Sequence, residues 1–177
     1  MDDQTPLVAM TTPDADEGAR ATVSNTHTAQ AIECGRWSLA LGFDWANTIV
    51  DQFQLVTIPK APAWLIGAVN LDGGIIPVVD LAAYFEPEEK VMSIDRHHRL
   101  LVGGMTDGSN ENAVAILFSG LPFQIQYTRE QVRADVALPE RLQELCRGLA
   151  RSEAGKRHFE IDTQRFIDNL SMRLMEI

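Results

Sequence analysis

The chain has 177 residues, with 25 Asp and Glu against 15 Lys and Arg, for a formal net charge of −10. That length predicts one domain of ordinary size whose core needs neither metal nor disulfide, and 45% hydrophobic with 23% charged residues excludes a wholly disordered chain. A pI near 4.8 excludes nucleic acid as the main partner and disfavours an anionic membrane surface, because both need a basic field.

The chain opens Met1-Asp2-Asp3-Gln4, without the basic and apolar stretches of a signal peptide. No apolar run approaches the roughly 20 residues of a membrane-spanning helix. Cys34 and Cys146 stand alone, in no CxxC pattern, which fits a reducing compartment better than a disulfide framework. The expectation is a soluble, cytoplasmic protein.

Residues 1–28 are rich in Thr, Ala, Asp and Asn and poor in large apolar side chains, so they are predicted to form a disordered acidic tail ahead of a domain over 29–177. Ile32 and Cys34, then Gly35-Arg36, then Trp37, Leu39 and Leu41 predict a first hairpin. Ile66 to Leu71 and Gly74 to Val79 flank Asp72-Gly73, a pair suited to the positive φ angles of a type I′ turn. Pro77 cannot donate to a ladder, so it is expected at an edge or a bulge. A third hairpin is predicted through Leu100-Leu101-Val102, a polar loop at 107–110, and Val114 to Phe118. Pro139 opens a helix carrying Leu142, Leu145, Cys146 and Leu149. His158 to Ile161 reads as a closing strand, and Asp162 as the cap of a final helix with the stripe Ile167, Leu170 and Leu174. Residues 138–177 hold seven acids and seven bases, so the whole excess of negative charge lies in residues 1–137.

No catalytic constellation assembles from these residues. Ser119-Gly120 lacks the glycine pattern of a nucleophile elbow and reads as a turn. Gly73-Gly74 and Gly103-Gly104 are not followed by the Lys-Ser or Lys-Thr of a phosphate loop. His97-His98 is the one histidine pair; neighbours on a strand point to opposite faces, so the pair reads as solvated rather than as a metal site. Asp80, leaving a strand, reads as a cap for the N–H groups of Leu81, Ala82 and Ala83. No catalytic residue, metal or cofactor is expected.

The segment Ile58-Pro59-Lys60-Ala61-Pro62-Ala63-Trp64-Leu65-Ile66-Gly67-Ala68-Val69-Asn70-Leu71-Asp72-Gly73-Gly74-Ile75-Ile76-Pro77-Val78-Val79-Asp80-Leu81 resembles the central signature of the CheW family of chemotaxis coupling proteins. The match is long and gapless, and a looser likeness runs from about Thr28 to Ile177. The resemblance implies a mainly β fold of two small SH3-like barrels about a shared apolar seam, with a helix near the C-terminus and a terminal helix. It also implies a non-catalytic adaptor in chemosensory signal transduction, serving flagellar chemotaxis or type IV pilus twitching motility. Its expected partners are the CheW-like regulatory domain of a CheA-type histidine kinase and the cytoplasmic tip of a chemoreceptor.

Three positions depart from the family pattern. The usual Arg of Asn-Leu-Arg-Gly is Asp72, the usual Val-x-Glu-Ile is Ala46-Asn47-Thr48-Ile49, and an Asp at a later strand end is Ser119. A carboxylate cannot make the forked contacts of a guanidinium and repels an acidic partner. Pro62, Trp64 and Asp80 have structural reasons to be there, as has Gly67 if a backbone passes close to it. Ala46, Thr48, Ile49, Gly67 and Asp72 are the candidate partner-binding residues. The alternatives are a divergent paralogue that no longer bridges receptor and kinase, and a small-molecule-binding barrel with a ligand near Trp37 and Trp64.

Overall fold

A computed structural model describes residues 26–88, 93–105, 110, 112–132 and 137–175. The segment expected to be a tail therefore lies outside the described residues up to residue 25, and the first strand begins at Thr26. Most of the 107–110 loop also lies outside them.

Strands β1 (Thr26–Cys34) and β2 (Trp37–Gly42) form the first hairpin, with Gly35 at φ 57° in its turn. β3 (Ala46–Val50) follows, then β4 (Leu65–Leu71) and β5 (Gly74–Asp80). Asp72 and Gly73 between them have φ 50° and 86°, the two left-handed residues that a type I′ turn requires. α1 (Leu81–Phe85) starts where expected: the Asp80 carboxylate accepts hydrogen bonds from the N–H groups of Ala82 (2.9 Å) and Ala83 (3.3 Å). β6 (His98–Gly103), the 17-residue β7 (Val114–Glu130), α2 (Glu140–Leu145), β8 (Cys146–Ser152), β9 (Arg157–Ile161) and α3 (Thr163–Leu174) complete the chain. Asp162 caps α3 through the N–H of Arg165, as expected.

The strand pairings trace two small barrels that share β7. The first closes through β1, β2, β9, β8 and the C-terminal part of β7, which returns to β1. The second runs β4, β5, β7, β6, β3, using the N-terminal part of β7. Gly120, at φ 77°, lies where β7 passes from one to the other.

Three cores follow from this arrangement. Aliphatic side chains including Val69, Ile76, Val78, Leu100, Val102 and Leu117 fill the second barrel. Small residues, Ala29, Ala31, Ala40 and Ala150, line the first with Ile125 and Tyr127. The largest core is the aromatic seam between barrels and helices, where Trp64 stands edge-on to Tyr84 and Trp45 edge-on to Phe166. This is the mainly β, two-barrel architecture that the family resemblance implied, with its helices against the seam.

Five local expectations are corrected. The helix after Pro139 ends at Leu145, and Leu149 is buried from strand β8 instead. Gly148 explains the change: a Cβ there would stand 2.8 Å from the Glu130 carbonyl oxygen, and only a bare backbone lets β8 lie so close to β7. Pro77 is in neither an edge strand nor a bulge; it sits in β5 between two neighbours, and the pairing to β7 begins one residue later at Val78. Ser119-Gly120 is not a turn but lies within β7. His98 is 7% exposed rather than solvated, its Nδ1 2.9 Å from an Asp95 carboxylate oxygen, while His97 faces solvent. Burial beats solvation there because His98 enters β6 on the inward side of the strand alternation. Phe166 is fully buried in α3, and Leu174, expected in its apolar stripe, is 38% exposed.

The first barrel also encloses a neutral histidine. His158 is fully buried on β9, with Nδ1 2.7 Å from Ser38 Oγ, which itself donates to Glu33. Burial pushes the imidazole below its usual 6.5, Lys156 pushes the same way, and Glu33 opposes them. The unfolded chain therefore takes up a proton near pH 6.5 that the folded chain refuses, so this contribution to stability holds above that pH and is lost on acidification below it. Urea midpoints measured from pH 7.5 to 5.5 should fall, and His158→Gln should flatten the fall; an unchanged slope would refute the assignment.

Candidate functional site: the outer edge of the second barrel

Among the described residues, β3 pairs with β6 alone and β4 with β5 and one short bridge, which makes them the outermost strands of the second barrel. Outer strands carry unpaired backbone groups and are where another chain can add. All five candidate residues fall on these two strands or the turn beside them, but not as one cluster of side chains.

Thr48 and Ile49 are both exposed on β3, Ile49 by 44%. Ala46 is not on this surface. It is 2% exposed, belongs to the seam, and stands beside Trp45, whose ring packs on Gly103 so tightly that a Cβ there would lie 2.3 Å from it. Gly67 is also buried. A Cβ on it would lie 2.5 Å from the Val56 carbonyl oxygen and 2.9 Å from Leu55 Cγ. The close backbone approach foreseen for this glycine is present: Val56 and Ala68 exchange two backbone hydrogen bonds of 2.8 Å beside it. Asp72 is exposed at the tip of the β4–β5 hairpin, held by a turn in which Asn70 Oδ1 accepts from the Gly73 N–H.

The Val56–Ala68 bridge pins the segment after β3 against β4. A groove of about 490 Å³ results, lined by Gln52, Phe53, Gln54, Val56, Asn70 and Leu71. Val56 is 67% and Ile58 40% exposed, so apolar surface continues along this segment. The sequence reading missed these residues. Charge at the site is mixed: Arg99, on β6, donates to Asp51 at 2.6 Å and to the Gly120 carbonyl oxygen at 2.6 Å.

Trp37 and Trp64, named for a possible ligand seam, are occupied by protein. Trp37 stands edge-on to Phe85 and Phe159 and donates to Glu86 at 3.1 Å, and neither indole is more than 8% exposed. Among the described residues no group of three or more His, Cys, Asp or Glu converges as a metal site. Burial pushes the Cys34 thiol well above its usual range, and Cys146 moves the same way for the same first reason, which favours the protonated thiol at both. Among the described residues, no helix is long and apolar enough to cross a membrane.

Two fused β-barrels that share one long strand, with an exposed outer edge and aromatic residues sealing their junction, define the class of fold. The CheW-like domain family matches residues 31–171, and the chain belongs to that family. A solved structure titled as the scaffolding protein TtCheW from Thermoanaerobacter tengcongensis is similar in fold: TM-score 0.61 at 17% identity, covering 77% of this chain and 88% of that one. No curated protein matches the chain. The family and fold support a chemotaxis adaptor or scaffold role.

Proposed function

We propose that this protein is a non-catalytic cytoplasmic scaffold that joins a chemoreceptor tip to the CheW-like regulatory domain of a CheA-type histidine kinase, in flagellar chemotaxis or in pilus-driven twitching. The observation that carries the reading is the open β3 edge with Ile49 exposed upon it, in a chain of this family. A large apolar side chain on an outer strand suits recognition by strand or helix addition, where backbone bonds give affinity and side chains give choice. Each contact is small, and a lattice of many copies multiplies it.

Asp72 tunes which receptor is accepted. It presents a carboxylate where the family pattern has a guanidinium, so an acidic receptor tip is repelled and a basic or neutral one is favoured.

Calorimetry of the full chain against the cognate kinase regulatory domain tests the reading. Ile49→Asp should weaken binding by about tenfold or more, consistent with losing a buried apolar anchor, and should leave the unfolding midpoint unchanged because Ile49 is not in the core. Asp72→Arg should strengthen binding to an acidic receptor hairpin. No measurable affinity for any cognate kinase domain would sink the scaffold reading.

A further inference from the structure

Charge in this acidic chain is mostly matched locally. Arg36, Arg99, Arg129, Arg147, Arg151, Lys156 and Arg165 each stand within ion-pair distance of a carboxylate. Two half-buried arginines do not: among the described residues, neither Arg141 nor Arg173 has an acidic partner. Both converge on one residue where the three helices meet. Arg141 donates to the Tyr84 carbonyl oxygen at 2.9 Å and Arg173 to the Tyr84 hydroxyl at 3.0 Å. Their guanidinium carbons lie 5.2 and 5.6 Å from the centre of the same Tyr84 ring, which is fully buried.

This arrangement works against itself electrostatically. Two cations share one aromatic ring and repel each other. Arg141 also sits in the first turn of α2, the positive end of a helix, where a cation is disfavoured. Arg173 in the last turn of α3 is well placed for its own helix, which makes Arg141 the informative one. The acid nearest to Tyr84 along the chain, Glu86, is already engaged by Arg36 and by the Trp37 indole N–H, and Glu140 and Glu144, which flank Arg141 on α2, are exposed and pair with neither arginine. Each guanidinium has five N–H donors and spends one on Tyr84 in these bonds, so a fork on each remains for an external acceptor.

We propose that Arg141 and Arg173 form a docking point for a carboxylate-bearing segment of a partner protein, at the corner where α1, α2 and α3 meet. The aromatic floor fixes both forks before the partner arrives, so little side-chain entropy is lost on binding. The site is separate from the β3–β4 edge and gives the protein a second contact of opposite character: apolar at the edge, cationic at the helix corner. A net charge of −10 means that such a segment is not attracted by the protein as a whole.

Fluorescence anisotropy of a labelled Glu-rich peptide on the full chain, at low and at physiological salt, reads the site directly. Saturable binding that weakens with salt is expected, and a Gln-for-Glu version of the peptide should not bind. Arg141→Gln and Arg173→Gln should each weaken binding by about tenfold, the scale of one charge-assisted contact. Arg141→Lys should retain part of the affinity, because it keeps the charge and loses the fork. Arg96→Gln and Arg157→Gln, at exposed arginines, should change nothing, and neither should Ile49→Asp, so failure here is distinct from failure of the scaffold reading. The proposal is overturned by absence of saturable binding, by equal losses at Arg96 and Arg157, or by binding that appears only after deletion of residues 1–25, which would assign the site to this chain's own acidic segment.

Discussion

Gly67→Val should cost about 3–5 kcal/mol, a large part of the 5–15 kcal/mol by which small domains are stable. The Cβ alone would lie 2.5 Å from the Val56 carbonyl oxygen, a backbone atom that cannot swing aside. Relief requires that the two Val56–Ala68 hydrogen bonds lengthen or break, and that Leu55 leave its place against the second barrel's core. Losing those bonds and misplacing one apolar side chain accounts for a loss of that order. The groove between the segment after β3 and β4 depends on the same bridge, so partner binding should fail together with stability. Chemical denaturation measures the first and calorimetry the second. A Gly67→Val protein with an unchanged midpoint would refute the steric account, whereas one that is stable but cannot bind would return Gly67 to direct contact. The contrast with Ile49→Asp, which should lose binding without losing stability, separates scaffold from surface.

Arg129→Met is expected to be the second large effect. Arg129 grips the Glu160 carboxylate with two hydrogen bonds of 2.5 Å, and Glu160 is only 7% exposed inside the first barrel. Burial pushes the Glu160 carboxyl up, but the hydrogen bonds from Arg129 and Tyr127 outweigh it, and the net shift is down. The Tyr127 phenol, buried beside that carboxylate, is pushed up to about 12. Removing the guanidinium strands a buried charge, which costs about 3–5 kcal/mol for a fully enclosed pair. Arg129 is about one-third exposed, so solvent screening reduces the expectation to about 2–3 kcal/mol. The sign of the pH dependence follows. With Arg129 in place, Glu160's contribution is present above the usual carboxyl value of 4.5 and is lost as the folded group protonates below it. Without Arg129, burial dominates and protonation relieves the stranded charge. The difference between wild type and variant should therefore be largest near pH 7 and shrink toward pH 4. A constant difference would mean that the loss is one of packing.

Most of the fold was legible because its signals are local. Asp72-Gly73 specifies its own turn, Asp80 and Asp162 specify their own helix starts, and the alternating strands follow from side-chain period. What could not be read depends on partners distant in sequence. Leu142, Leu145 and Leu149 keep helical spacing, yet the chain leaves the helix after Leu145 because β7 and β9 offer Cys146–Ser152 a ladder on both sides. Nothing near His98 in sequence tells whether the inward face at the start of β6 is dry. The candidate site was legible in part. Ile49 and Asp72 could be singled out because they depart from a familiar pattern or lack a structural reason. Ala46 could not be told from them, since its burial is imposed by Trp45 and the seam. Val56 and Phe53 became visible only once the bridge to Ala68 placed them beside β4.

Strand β7 serves both barrels with one uninterrupted backbone of 17 residues, pairing with β5 and β6 at one end and with β1 and β8 at the other. Neither barrel can therefore come apart without taking a wall from its neighbour. The molecule should therefore melt as one cooperative unit, and cutting the gene between the barrels should yield no folded half. For a scaffold, the same continuity has mechanical meaning: a load applied at the β3 edge passes through β6 to β7 and then along one covalent strand, past Gly120, into the far barrel.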